Sequence, residues 1–94
     1  MTFPLIHMNG SGEKNLQCDN DRIVDAMREV LKTMVWAVPN GRDYADQSSY
    51  EQARDEHYTR MQAVATVSNA YERIAEYLYA EPEDRELMRK DEQK

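Results

Sequence analysis

Residues 50–80, YEQARDEHYTRMQAVATVSNAYERIAEYLYA, decide the fold. Tyr50, His57, Val64, Tyr71 and Leu78 recur every seven residues, and Ala53, Val67 and Ile74 fill the intervening heptad positions. Arg60 stands where a fourth apolar residue of that second set would fall, and Met61 and Ala75 widen the stripe. Apolar residues at this spacing lie along one face of an α-helix. The stretch therefore predicts an amphipathic helix of roughly 45 Å, at about 1.5 Å per residue. Ser48 followed by Glu51, or Ser49 followed by Gln52, offers a capping box at its start.

Just before it, residues 39–49, PNGRDYADQSS, read as a connection. It is longer than most helix–helix links, and loops of that length tend to be functional or mobile. Pro39 stops the preceding element and Asn40-Gly41 suits a turn that needs a positive φ. Residues 13–38 predict a first helix, with Leu16, Ile23, Met27, Val30, Leu31 and Met34 at helical spacing. Its start is open between Ser11-Gly12 and Asp19-Asn20-Asp21. Its end, Met34-Val35-Trp36-Ala37-Val38, is apolar all round and so should be buried against something. Residues 1–12, MTFPLIHMNGSG, read as an extended arm with Phe3, Leu5 and Ile6 laid on the helices. Residues 81–94, EPEDRELMRKDEQK, form either a short terminal helix begun by Pro82 or a frayed charged tail.

The fold class that results is all-α: one domain over residues 1–94, built on an antiparallel two-helix hairpin. Its 94 residues make a lone hairpin marginal, so the expectation is a homo-oligomer or a docked partner. With 12 basic against 18 acidic residues the net charge is -6, which argues against direct nucleic-acid binding. An acidic surface suits a basic partner, or imitates nucleic acid towards a protein that binds it. The single cysteine, Cys18, allows no intrachain disulfide and fits a reducing compartment. No apolar run is long enough for a membrane span, and the N-terminus has no secretory pattern, so the expected location is cytoplasmic.

His57 and Arg60 are the polar residues on the apolar stripe, and burying such groups is costly without partners. Two readings stand. One is a satisfied histidine packed on Trp36 or Tyr50, with Arg60 paired to an acid. The other is a polar pocket at the loop end. In the loop, Arg42 and Asp43 either form a surface pair, or Arg42 binds an anion while Tyr44 stacks on a ring or bonds a phosphate. His7 to Gly12 resemble an anion-cradling loop in composition, but the phosphate-loop spacing is absent. Tyr58, Tyr77, Tyr79 and Trp36 form an aromatic contact surface or pack against the arm and tail. His7, Cys18 and His57 lack the paired spacings of zinc sites, so no metal or other cofactor is expected. Cys18 and His57 are the one conceivable catalytic pair, with no third group to orient them. The chain reads as a non-enzyme.

Three separated motifs, Pro4-Leu5-Ile6-His7-Met8-Asn9-Gly10-Ser11, Pro39-Asn40-Gly41-Arg42-Asp43-Tyr44 and Glu56-His57, occur in an order that resembles a group of short phage and prophage proteins. In that group an HLNGT-like arm precedes a helix, a PNGRDYY loop follows, and a second helix carries EH. The resemblance covers about residues 4–78. This chain has Ser-Gly where the group has Thr-Ser, and Ala45 in place of a second tyrosine. The resemblance implies a phage setting and adds weight to His7, Asn9, Gly10, Asn40, Gly41, Arg42, Asp43, Tyr44 and His57. The expected function is inhibition of a host antiviral defence, by sequestering a nucleotide-like immune signal at His7, Asn9, Arg42, Asp43, Tyr44, His57 and Arg60. The alternatives are an acidic inhibitor that binds a defence protein such as a CRISPR effector, or a structural or assembly accessory.

Overall fold

The computed structural model describes residues 1–6 and 12–92. The chain is all-helical there: α1 spans Glu13–Trp36, a single 3-10 turn spans Gly41–Asp43, α2 spans Gln47–Leu78 and α3 spans Pro82–Glu92. The C-terminal stretch is thus a helix up to Glu92, with Glu83 and Asp84 in its first turn and Arg89 and Lys90 in its last, matching the helix dipole at both ends.

The element boundaries correct several expectations. Helix α1 starts at Glu13 behind Gly12, with no side chain capping it, and Asp19-Asn20-Asp21 lie well inside it. It ends at Trp36 rather than Val38, because the residue before Pro39 is steered out of the α conformation. Helix α2 starts three residues earlier than the heptad pattern suggests. Asp46, not Ser48 or Ser49, is its cap: the carboxylate accepts the Ser49 backbone N–H at 2.7 Å. The Asn40-Gly41 turn works without a positive φ. Instead Asn40 Oδ1 accepts the Arg42 N–H at 3.0 Å and its carbonyl accepts the Asp43 N–H, which closes the 3-10 turn.

Bonds between α1 and α2 join opposite ends of the two helices. Gln17 donates to the Leu78 carbonyl at 3.0 Å and Asn20 to the Tyr71 carbonyl at 3.0 Å. Further along, Arg28 pairs with Glu72 at 3.1 Å, and His57 bonds the Met34 carbonyl at 2.8 Å. Between them the seam is thin. Val24 is its buried hydrophobic residue, beside buried Asn20 and Ser68.

Only one column of the heptad faces α1. His57, Val64 and Tyr71 are half-buried and Leu78 is buried, whereas Val67 is 45% exposed and the Arg60 side chain 66% exposed. Successive helical residues turn by about 100°, so the second column sits well to one side of the contact line. Of its members Ile74 packs on the core at the far end, whereas Val67 opens a separate face.

The packed core lies at the far end, where the arm meets α2 and α3. Phe3 stacks on Tyr77 with ring centroids 4.5 Å apart and planes 6° from parallel. Phe3, Tyr77 and Leu78 are buried together, with Ile6, Leu16, Ile74 and Met88 packed around them. The arm thus covers Tyr77, the tyrosine that the sequence left open between contact surface and core.

Candidate functional site

The two ends of the helix pair carry different chemistry. Among the described residues, no buried side-chain polar atom at the α3 end lacks a hydrogen-bond partner. The Tyr77 hydroxyl donates to the Pro4 carbonyl at 2.8 Å and accepts from Arg89. Arg85 donates to the Tyr77 and Leu78 carbonyls at 3.0 and 2.7 Å and to Glu13 at 2.8 Å. Those carbonyls belong to the last turn of α2, which has no partners within its own helix. The α-ammonium of Met1 lies 3.4 Å from Glu92, which also receives Arg73 at 3.6 Å. This end is a closed structural joint. Phe3 packs on the helices as the arm reading expected, but Arg85 and Arg89 were not singled out, and their one signal was arginines in an acidic tail.

The loop end is open. Trp36, the last residue of α1, is 84% exposed. The sequence reading placed it in a buried cluster; among the described residues it stands open to solvent. Arg42 and Asp43 are exposed in the 3-10 turn and form no pair with each other. Tyr44 is on the margin of exposure, its ring 6.3 Å from that of Tyr50 and tilted by 52°. Arg54 in turn lies over the Tyr50 ring at 5.8 Å. Trp36, Arg42 and Tyr44 therefore stand on one short stretch of chain, available to a partner.

His57 is not part of that open surface. Its Nε2 contacts the Met34 carbonyl, which can only accept, so this nitrogen carries the hydrogen. Met34 lies in the last turn of α1, where carbonyls lack helical partners. The imidazole is thus a satisfied capping group. Its hydrogen-bond partner is a backbone carbonyl, where the sequence reading expected packing on Trp36 or Tyr50. Arg60 points outward and pairs with Glu56 at 3.6 Å on an exposed strip with Glu51 and Asp55. Among the described residues no hydrogen bond or ion pair joins Arg42, His57 and Arg60.

His7, Asn9 and Gly10 lie outside the described residues. Ile6 and Gly12, which bracket that segment, both sit at the α3 end: Ile6 packs on the Phe3–Tyr77 cluster, and Gly12 begins α1. The loop motif is at the other end of α1, about 36 Å away along a helix of 24 residues. Cys18 and His57 are separated in the same way, by about 24 Å between Cys18 and the Met34 that His57 touches. They cannot act as a catalytic pair within one chain.

Among the described residues no group of three His, Cys, Asp or Glu is placed to hold a metal ion, and no helix is long and apolar enough to cross a membrane. No protein-family model, curated protein or solved structure matches this chain.

Proposed function

We propose that this chain is a non-catalytic binding protein of phage origin that blocks a host antiviral defence in the bacterial cytoplasm. In this reading α1 and α2 form an antiparallel hairpin that self-associates, and the loop tip meets the ligand. The observation that carries it is the exposure of Trp36 beside Arg42 and Tyr44. Trp, Tyr and Arg are the residue types that dominate binding hot spots.

The ligand class that fits this tip is a nucleotide-like signal. A guanidinium free of carboxylates receives a phosphate with two parallel hydrogen bonds, and aromatic rings stack on bases. His57 acts indirectly, by fixing the end of α1 that presents Trp36. Because Ile6 and Gly12, which bracket the arm motif, lie at the end of α1 opposite the loop motif, a site combining both motifs is built between copies. A second reading, capture of a basic surface on a defence protein, is favoured by the exposed strip of Glu51, Asp55 and Glu56 on α2.

Trp36 is the only tryptophan, so its fluorescence reports on the tip without a label. Titration with a panel of cyclic oligonucleotides should quench or shift that emission, and Arg42→Ala should remove the response while helical circular dichroism stays the same. An unchanged emission, together with no cyclic oligonucleotide retained in native mass spectrometry, would rule out the nucleotide reading and leave capture of a protein.

A further inference from the structure

The helix pair has two flat faces of opposite character. Asn20 and Val24 of α1 meet Ser68 and Tyr71 of α2 along the contact line. A quarter-turn to one side, Arg28 pairs with Glu72, and Tyr79 donates to Asp21 at 2.6 Å. A quarter-turn to the other side lies an apolar patch, edged by Glu29 and bounded towards the loop end by the Arg60–Glu56 pair. There the 100° turn of the helix brings Ile23, Ala26 and Val30 of α1 level with Ala63, Val67 and Ala70 of α2. Ile23, Val30 and Val67 are 38%, 44% and 45% exposed.

We infer that a second copy of this chain packs on that face, apolar stripe against apolar stripe, to make a four-helix bundle. The inference deepens the self-association proposed above by naming the surface that carries it.

The area supports a second copy. A globular protein of 11.0 kDa exposes roughly 5,600 Å², whereas this chain exposes 7123 Å². The excess of roughly 1,500 Å² per chain is what each partner of an obligate homodimer buries, in total about 2,000–5,000 Å². The shape says the same. The chain measures 59 × 28 × 17 Å with a radius of gyration of 18.6 Å, against roughly 12 Å for a compact chain of this length. It is an elongated slab in which α1 and α2 pack chiefly on each other, and stable domains have at least two packed layers. A twin slab supplies the missing layer and closes a bundle of the ordinary kind. The residues suit that role: alanines let helices approach, and isoleucine and valine fill the space between. A twofold axis also lets one patch serve both partners, with the net charge of -6 on each chain turned outward.

Sedimentation of the purified chain should give twice the 11.0 kDa chain mass, or an even multiple of it. The Val30→Glu/Val67→Glu variant should halve that mass. A wild type that sediments at the single-chain mass at every concentration overturns the inference, as does a double variant whose assembly is unchanged. Should the double variant fail to fold, thiol labelling decides. In a Cys18→Ser background, Val67→Cys and Tyr58→Cys place single thiols at positions equally exposed in one chain, 45% and 46%. Cys at 67 should react slower by roughly tenfold or more, because the second copy covers it. Equal rates overturn the inference. Failure of the loop tip to bind cyclic oligonucleotides would leave the assembly mass untouched, so the two readings fail separately.

Discussion

His57, near the start of α2, closes the end of α1 by donating its Nε2 hydrogen to the carbonyl of Met34, 2.8 Å away. The other long helix is closed in the same manner: Gln17 of α1 and Arg85 of α3 donate to the last carbonyls of α2. Each of the two long helices thus has at least one carbonyl of its last turn satisfied by a side chain from a different helix. Such bonds set the register of the pair where apolar packing is too sparse to set it.

A structural role for His57 has a definite mutational signature. His57→Leu removes the donor and leaves a part-buried carbonyl unpaired, so it should destabilise the fold by about 1 kcal/mol. His57→Gln retains an amide donor of similar reach and should recover part of that loss. Urea unfolding of the three proteins measures both. If the leucine variant is instead as stable as the wild type, the capping bond contributes nothing and His57 becomes available again as a ligand-binding group.

Asp46 gives the fold an acid-sensitive start to α2. The Ser49 backbone N–H, followed by the Ser49 hydroxyl, bonds its carboxylate and holds its pKa below the ordinary value. A carboxyl group whose pKa is depressed by folding stabilises the folded state fully above its unfolded pKa, about 4. The contribution is lost as pH falls through the lower, folded value. Melting temperature of the wild type should therefore drop on acidification through this range by more than that of Asp46→Asn. That variant keeps a capping acceptor but has no proton to take up. Parallel curves for the two proteins would show that the cap plays no part in acid sensitivity.

Much of this architecture is legible in the sequence, and the failures have identifiable causes. The every-seven column from Tyr50 to Leu78 marks α2 and the side that meets α1, because periodicity reports which residues share a face. It does not report which neighbour covers that face. Val67 and Arg60 were therefore counted with the core although they lie off the contact line. Trp36 fails for the same reason: an apolar helix end demands burial, but the covering surface need not come from the same chain. His57 was recognised as a polar residue that needs a partner, yet its partner is a backbone carbonyl, and backbone carbonyls leave no trace in residue identity. Least legible was the joint of Phe3, Tyr77, Arg85 and Arg89. It is assembled from the two ends of the chain, and no local spacing links them.

The guanidinium of Arg85 is almost enclosed, with 11% of the side chain exposed, and it serves two carbonyls and one carboxylate. Glu13 is half exposed, so water screens that ion pair, and the carbonyl bonds carry most of the effect. Arg85→Met should cost about 2–3 kcal/mol, the worth of a charged donor to buried acceptors. Arg85→Lys keeps the charge but lacks the planar fork that reaches both carbonyls, and should recover less than half. Chemical denaturation reads the order wild type, lysine, methionine. A lysine variant equal to the wild type would mean that charge alone matters at this joint.

Two of the interactions that hold the arm are separable, the Phe3–Tyr77 stack and the hydroxyl bond from Tyr77 to the Pro4 carbonyl. Tyr77→Phe deletes the second, together with the acceptor of Arg89, and should cost at least about 1 kcal/mol. Phe3→Ala removes a buried ring and leaves the face of Tyr77 open to water, at a cost of about 3 kcal/mol. The two changes should differ more sharply in protease sensitivity than in helix content. In Phe3→Ala the first residues detach from α2 and α3 and become cleavable, while circular dichroism of the three helices stays near the wild-type value. Tyr77→Phe keeps the stack and should resist cleavage. If Phe3→Ala also loses most of its helical signal, the arm is more than a cover: its ring would then be required for α2 and α3 to dock at all, and the joint would be the centre from which this thinly packed chain is organised.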